Sequence, residues 1–164
     1  MDTQEQTLIK DLRETDIFAG LGVRELEQIA KACTQHTYKA GQQCAIQGET
    51  IDELRIVNGG KVAIELRLEV VPYTQTLSIT TLTKGNAFAW SALVGQDVHT
   101  VSARCIDSTK IICIKASDLQ QIFKERPSIE RVVMKNLASV INSQLKDSRT
   151  QLVRLVAEMI KQGR

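Results

Sequence analysis

The chain has 164 residues, of which 43% are hydrophobic and 24% charged, and this composition is typical of one folded globular domain rather than a disordered protein. Lysine and arginine number 21 against 19 acidic residues, so the net charge of +2 favours no nucleic-acid, membrane-surface or acidic-polymer partner. No apolar run reaches the roughly 18 residues of a membrane span, and the polar N-terminus is not a signal peptide. We therefore expect a soluble, cytoplasmic protein.

Two residue types argue against an enzyme or a metal protein. The cysteines form no C-x-x-C pair and lie in apolar stretches, which is typical of small buried side chains; they are Cys33, Cys44, Cys105 and Cys113. The only histidines, His36 and His99, are too few for a three-histidine catalytic zinc site. The chain also lacks the G-x-S-x-G, H-E-x-x-H and phosphate-loop motifs. We expect no catalytic residue, no metal site and no enzymatic activity.

The N-terminal part, residues 1–36, is predicted to be helical. A first helix over Thr3–Arg13 carries one apolar stripe. A second helix runs from about Val23 to Cys33, because Leu26, Ile29 and Cys33 recur at helical spacing with charged residues between them.

Residues 37–126 show the pattern of short strands and turns, closed by a short helix over Ser117–Lys124. The clearest strand is Lys61–Glu69, where apolar and charged residues alternate. The Asn58-Gly59-Gly60 step before it and the Asp107-Ser108 step later both predict hairpins. Further strands are predicted at 43–46, 54–57, 77–82, 100–106 and 110–115, and together they favour a mainly β jelly roll with flanking helices.

Residues 127–164 predict one long helix that begins at Pro127 and continues to about Lys161. One seam has heptad spacing; its members are Met134, Ala138, Ile141, Leu145, Ser148, Leu152, Leu155 and Met159. A small barrel cannot cover the distal half of such a helix, so we expect a parallel homodimer through residues 134–159. The alternative is a helix that breaks near residues 146–148, with its tail folded back.

Four segments in chain order resemble the cyclic-nucleotide-binding domain family, of the type found in the sensory domain of catabolite activator protein. They are "IFAGLGVRELEQIA", "YKAGQQCAIQGETIDELRIVNGGKVAI", "LTKGNAFAWSALVGQDVHTVSA" and "IICIKASDLQQIFKERPSIERVVMKNLASVI". The resemblance implies a cupin-like jelly-roll barrel (a double-stranded β-helix) of eight strands that encloses one small anionic ligand. It also implies that the long C-terminal helix is a dimerisation helix.

The third segment resembles the family's phosphate-binding cassette, in degenerate form. The family pattern is Phe-Gly-Glu-x-Ala-Leu followed by an arginine that pairs with the cyclic phosphate. Here Ala89 replaces the glycine, Trp90 replaces the glutamate, and the arginine position falls at Asp97 or Val98, with His99 as the nearest substitute. Tight cyclic AMP binding is therefore not expected. Trp90 either fills the pocket or stacks on a planar ligand.

The resemblance also implies which residues bind the ligand. Ser91 and the backbone amides of residues 90–92 are able to cradle a weaker or different anion. The predicted ligand-binding residues are Phe88, Ala89, Trp90, Ser91, Ala92, His99 and Thr100. No cofactor is required by the residues themselves, and a cyclic nucleotide is the candidate that the resemblance offers.

Three functions remain open at this point. The first is a dimeric regulatory module that senses a small nucleotide-like or other anionic ligand, with an unknown downstream protein as partner. The second is a ligandless scaffold for protein interactions. The third is a truncated relative of the transcription regulators. The 23 residues after Ile141 complete the long helix, so we expect no helix-turn-helix and no direct DNA binding.

Overall fold

The computed structural model describes residues 2–95 and 98–163. The helices are α1 Thr3–Arg13, α2 Val23–Ala30, α3 Ala116–Glu125 and α4 Pro127–Gln162. The strands are β1 Cys33–Tyr38, β2 Gln43–Ala45, β3 Glu53–Gly59, β4 Val62–Val70, β5 Tyr73–Leu82, β6 Ala87–Phe88, β7 Ser102–Cys105 and β8 Thr109–Lys115. A 3-10 helix, Trp90–Val94, follows β6.

The eight strands form two antiparallel sheets of four, in the orders β1-β8-β3-β6 and β2-β7-β4-β5. This confirms the mainly β jelly roll with flanking helices. No strand pairing among the described residues joins the two sheets, so the barrel is not closed by hydrogen bonds.

Alternation along the strands of the first sheet divides the interior into two cores. Leu54, Ile56 and Ile112 face the helices and share one core with α1, α2, α3 and the start of α4. Val57 and Cys113 point the other way, into a second core to which both sheets contribute. Strand β8 is buried on both faces for this reason, and the space between the sheets is where a ligand cavity has room to form.

Both predicted hairpins are wrong. The Asn58-Gly59-Gly60 step joins β3 to β4, and the Asp107-Ser108 step joins β7 to β8, but each pair of strands lies in different sheets. The two turns are instead corners that pack together, since the Lys61 amide donates to the Asp107 carboxylate at 2.8 Å. Turn residues specify a change of direction, but they do not determine which strand becomes the partner. The real hairpin is β4–β5, and β5 begins at Tyr73, earlier than predicted.

The second helix is shorter than predicted. It ends at Ala30, and Cys33 already pairs with Ile114 as the first residue of β1. The sequence spacing predicts a helical position for Cys33, but pairing with the edge of a buried strand stabilises the extended conformation instead. Strand β1 therefore crosses the predicted boundary between residues 36 and 37.

Helix α4 is continuous over 36 residues, so the alternative of a break near residues 146–148 is wrong. Its first half packs on the domain: Val133 and Leu137 are buried, and the Asn136 amide donates to the carbonyls of Ile17 and Ala19 at 3.0 and 2.8 Å. Its second half is exposed, including Leu152 and Met159. No helix among the described residues is both long and apolar enough to cross a membrane.

Candidate functional site

The segment that follows β6 is held in place by the N-terminal connector. The Ala87 amide donates to the Asp16 carboxylate at 3.1 Å, and the Asp16 amide donates to the Gly85 carbonyl at 2.9 Å. The backbone then turns through Ala89, which has φ 54° and ψ 23°. Ala89 is the one non-glycine residue with positive φ in the described part of the chain, and it stands where the family has glycine. The turn starts the 3-10 helix at the mouth of the space between the sheets.

A cavity of about 440 Å³ opens beside this segment. Six of the seven predicted ligand-binding residues lie on its wall: Phe88, Ala89, Trp90, Ser91, His99 and Thr100. The seventh, Ala92, is not on the wall, and its amide donates to the Ala89 carbonyl at 3.2 Å. That amide is therefore already engaged, and the expectation that it cradles an anion is not supported by its hydrogen bonding.

The strands supply the apolar part of the wall. The main contributions come from the sheet β2-β7-β4-β5 and from the loop before β3; they are Ala45, Ile51, Ile64, Ile79, Leu82 and Ala103. Such a lining, with a small number of polar groups, is typical of small-molecule sites of this volume.

Helix α4 supplies a part of the wall that the sequence analysis missed. Gln144, Asp147 and Ser148 line the cavity, and one turn further on the Gln151 amide donates to the Ile79 carbonyl of β5. One signal was present in the sequence, because Ser148 is a polar residue in an otherwise apolar heptad seam. A smaller hollow of about 410 Å³, with Asp16 on its wall, shares Thr80, Leu82, Gln144 and Asp147 with the cavity. The helix therefore contacts both spaces.

The two predicted arginine positions and their nearest substitute, His99, differ in where they lie. Val98 is 44% exposed, bridges to Thr50 and does not line the cavity. Asp97, the other predicted position, lies outside the described residues. His99 is only 8% exposed and lines the cavity.

The imidazole of His99 is not a strong anion ligand. Burial lowers the pKa of His99 below its ordinary value of 6.5, and the nearby Arg55 charge lowers it further, while Glu49 and Asp52 act in the opposite direction. The neutral form therefore dominates at neutral pH, and it offers hydrogen bonding without a positive charge.

Arg55 carries a guanidinium on the inward face of β3. It contacts the Glu53 carboxylate at 3.5 Å, and its Nε is buried without a hydrogen-bond partner. Arg55 is not among the residues that line the cavity. The charge is therefore partly balanced by Glu53, one layer away from the wall.

The cysteines do not form a reactive site. Burial raises the pKa of Cys33, Cys44 and Cys113 to about 12, so these groups stay thiols at physiological pH. No cluster of three or more histidine, cysteine or acidic side chains with metal-binding geometry occurs within residues 2–95 and 98–163.

Two antiparallel sheets that share a core, a turn at Ala89 beside a cavity and a long helix that contributes to the cavity wall define a jelly-roll domain. The sequence profile of the cyclic nucleotide-binding domain family matches residues 35–126, which is more than half of the chain. The protein therefore belongs to the cyclic nucleotide-binding domain family.

Solved structures show the same fold. A cyclic nucleotide-binding domain from Methylobacillus flagellatus superposes with a TM-score of 0.78 at 12% identity, covering 92% of this chain and 83% of that one. The catabolite activator protein of Thermus thermophilus gives a TM-score of 0.68 at 22% identity, covering 87% of this chain and 63% of that one.

Among curated sequences, glutaminase 1 of Bradyrhizobium diazoefficiens is 27% identical over 137 residues. The match covers 82% of this chain but only 21% of the length of that protein.

Proposed function

We propose that this chain is a non-enzymatic regulatory module in which a small ligand in the cavity sets the position of the C-terminal helix. The observation that carries the proposal is the shared wall. The cassette segment contributes Trp90 and Ser91 to the cavity wall, and α4 contributes Gln144 and Ser148. A ligand that contacts both elements favours one helix position over another by its differential affinity for the two arrangements. Phe88, Ala89, His99 and Thr100 complete the proposed binding wall, and Ala92 supports its turn.

Cyclic nucleotides bind weakly in this proposal. Trp90 cannot accept the hydrogen bond that the family glutamate accepts, and the neutral His99, the nearest substitute for the family arginine, supplies no positive charge. Each charge-assisted hydrogen bond that is missing costs roughly 1.5–3 kcal/mol of binding free energy. Two such losses would move a micromolar affinity to roughly the millimolar range.

The module is proposed to be a parallel homodimer through residues 134–159. The seam residues of the distal helix are open to solvent: Leu152 is 61% exposed, Leu155 48% and Met159 70%. Burying each such side chain is worth about 1.5–3 kcal/mol, and the matching face of a second α4 provides the burial. The downstream partner would then recognise the dimer through its helix arrangement.

The ligandless scaffold is a second candidate, and one contact favours it. Trp90 packs against the helix-side core as well as lining the cavity. A side chain held in this way is able to fill the pocket.

Calorimetry with cyclic AMP and cyclic GMP tests the ligand part of the proposal. Heats that saturate only near millimolar ligand are the expected result. Saturation at micromolar ligand contradicts the weakened binding. The absence of heat from any small molecule favours the scaffold.

The dimer is tested with a charge-matched pair of variants. Leu152→Asp with Leu155→Asp places two negative charges in the seam, and sedimentation should report a monomer. Thr150→Asp with Ala157→Asp adds the same charge at exposed positions on the opposite face, and the dimer should persist. An unchanged dimer in the first variant, or a monomer in both, contradicts the proposed interface.

A further inference from the structure

We propose that the cavity recognises an uncharged ligand of about nucleoside size that contains a planar heterocycle, and not a ligand that carries a phosphate. This deepens the proposed function and rests on it only in taking the cavity to be a ligand site. The argument combines the charge of the wall, the state of its one imidazole and the aromatic rings beside it.

The wall has no cation to balance an anionic ligand. Among the described residues that line the cavity there is neither a lysine nor an arginine, and the one ionisable acid, Asp147, is negative. Gln96 and Asp97, which lie outside the described residues, are not basic residue types. A phosphate entering this space would lose its water without gaining an ion pair.

The polar groups of the wall suit a neutral ligand. Apart from Asp147, they are the hydroxyls of Thr80, Ser91, Thr100 and Ser148 and the amide of Gln144, together with the His99 imidazole. Each of these groups donates or accepts a hydrogen bond without a net charge when His99 is neutral. Ring nitrogens, carbonyls and hydroxyls of a heterocycle are the complementary groups.

Two aromatic side chains favour a flat ligand. Phe88 is 4% exposed and Trp90 is partly buried, and both contribute to the wall. Offset or edge-on ring contacts are the preferred geometry for such side chains, and an apolar ring is the group that benefits from them. The volume of about 440 Å³ lies in the range of small-molecule sites.

The alternative to this proposal is that Arg55 binds the phosphate of a charged ligand. Its guanidinium lies in the same interior, but it contacts Glu53 at 3.5 Å and is absent from the wall. If Arg55 turned towards the cavity, phosphate binding would depend on it. The test therefore includes this residue.

The experiment uses a natural reporter and a matched pair of ligands. Trp90 is the single tryptophan of the chain and lies on the wall, so its fluorescence reports on the cavity. Adenosine and cyclic AMP share the base and the ribose and differ in the cyclic phosphate. We expect adenosine to bind at least about tenfold more tightly than cyclic AMP, since one charge-assisted hydrogen bond corresponds to about that factor.

A pair of arginine variants provides the control. Thr100→Arg places a cation at an exposed position of the wall, whereas Val98→Arg places it two residues away and outside the cavity. Because this substitution also removes the Thr100 hydroxyl from the wall, the quantity compared is the ratio of the two affinities, and Thr100→Arg should raise the affinity for cyclic AMP relative to adenosine about tenfold. Val98→Arg should change neither affinity. Thermal unfolding confirms that both variants are folded.

Three outcomes overturn the proposal. If cyclic AMP binds as tightly as adenosine, the cavity tolerates phosphate. If Arg55→Gln then loses cyclic AMP binding, the Arg55 guanidinium is the group that holds the phosphate. In both cases the proposed sensing function stands, and only the proposed ligand class is wrong. An equal gain in Thr100→Arg and Val98→Arg shows that the charge acts from outside the cavity. No fluorescence response or heat from either ligand, in any variant, overturns the ligand site itself and with it the sensing function.

Discussion

Ala89 holds a backbone conformation that its side chain disfavours, and replacing it with glycine measures the cost. An L-residue in the left-handed region costs about 1–2 kcal/mol, which Ala89→Gly removes. Glycine adds about 0.4–1 kcal/mol of chain entropy to the unfolded state, and losing a half-buried methyl group costs about 0.4 kcal/mol. The central estimate is a net stabilisation of about 0.4 kcal/mol, or a rise of about 1–2 °C in Tm.

The contrast with a neighbouring alanine isolates the backbone contribution. Ala92 lies in the 3-10 helix that follows Ala89, is buried to a similar degree and has no positive φ, so Ala92→Gly should lose about 0.5–1 kcal/mol. The two variants are therefore expected to differ by about 1 kcal/mol in the free energy of unfolding, measured by urea denaturation with thermal scans alongside. Equal destabilisation in both would refute the strain argument and show that packing of the Ala89 methyl dominates. Gly60→Ala is the opposite control, since φ is +81° and a Cβ there would lie 2.4 Å from the Ser108 carbonyl oxygen; it should be strongly destabilised.

Three further substitutions test the fold around the site. Burial lowers the pKa of His99 in the folded protein, so protonation of His99 favours the unfolded chain. The stability of the wild type relative to His99→Gln should therefore fall as the pH drops below 6.5. Urea denaturation from pH 7.5 to 5 measures this, and a difference in stability that stays constant over that range contradicts it. Asn136→Ala removes two hydrogen bonds to the connector before α2 and should cost about 1–3 kcal/mol, whereas the exposed Ser139→Ala should be neutral in the same assay. Ile112→Ala removes a fully buried side chain and should cost about 2–5 kcal/mol, and a loss below about 1 kcal/mol would show that this core collapses easily.

The local sequence pattern predicted where helices and strands lie, but not which strands pair with one another. The alternation over Lys61–Glu69 located β4, and the heptad spacing after Pro127 located a helix that is continuous in the structure. Strand β4 pairs with the following strand, β5, and with β7, which is distant in sequence, so the strong turn signal at Asn58-Gly59-Gly60 predicted the wrong neighbour. Non-local pairing is decided by which faces are buried together, and a single sequence does not contain that information in local form.

The residues of the candidate site were likewise predicted from the sequence only in part. The cassette resemblance identified six residues that the structure brings to one cavity, because they follow one another in a short segment or lie just after it. The sequence left the arginine position open between Asp97 and Val98, and only the structure shows that Val98 does not line the cavity whereas His99 does. The contribution of Gln144 and Asp147 depends on where α4 crosses β5, and helical periodicity does not determine that crossing.

The short distance between the cavity wall and the open part of α4 has a mechanical consequence. Ser148 is on the wall and Leu152 is the first strongly exposed seam residue after it, so about 6 Å of rigid helix separates the two. A shift or rotation of the helix at the wall reaches Leu152 almost undiminished, since one helical turn has little room to bend. The movement would then be transmitted along α4 and not through the far side of the sandwich. The packed half of α4 near Leu137 and the strands around β1 would stay fixed while the distal half of the helix moves.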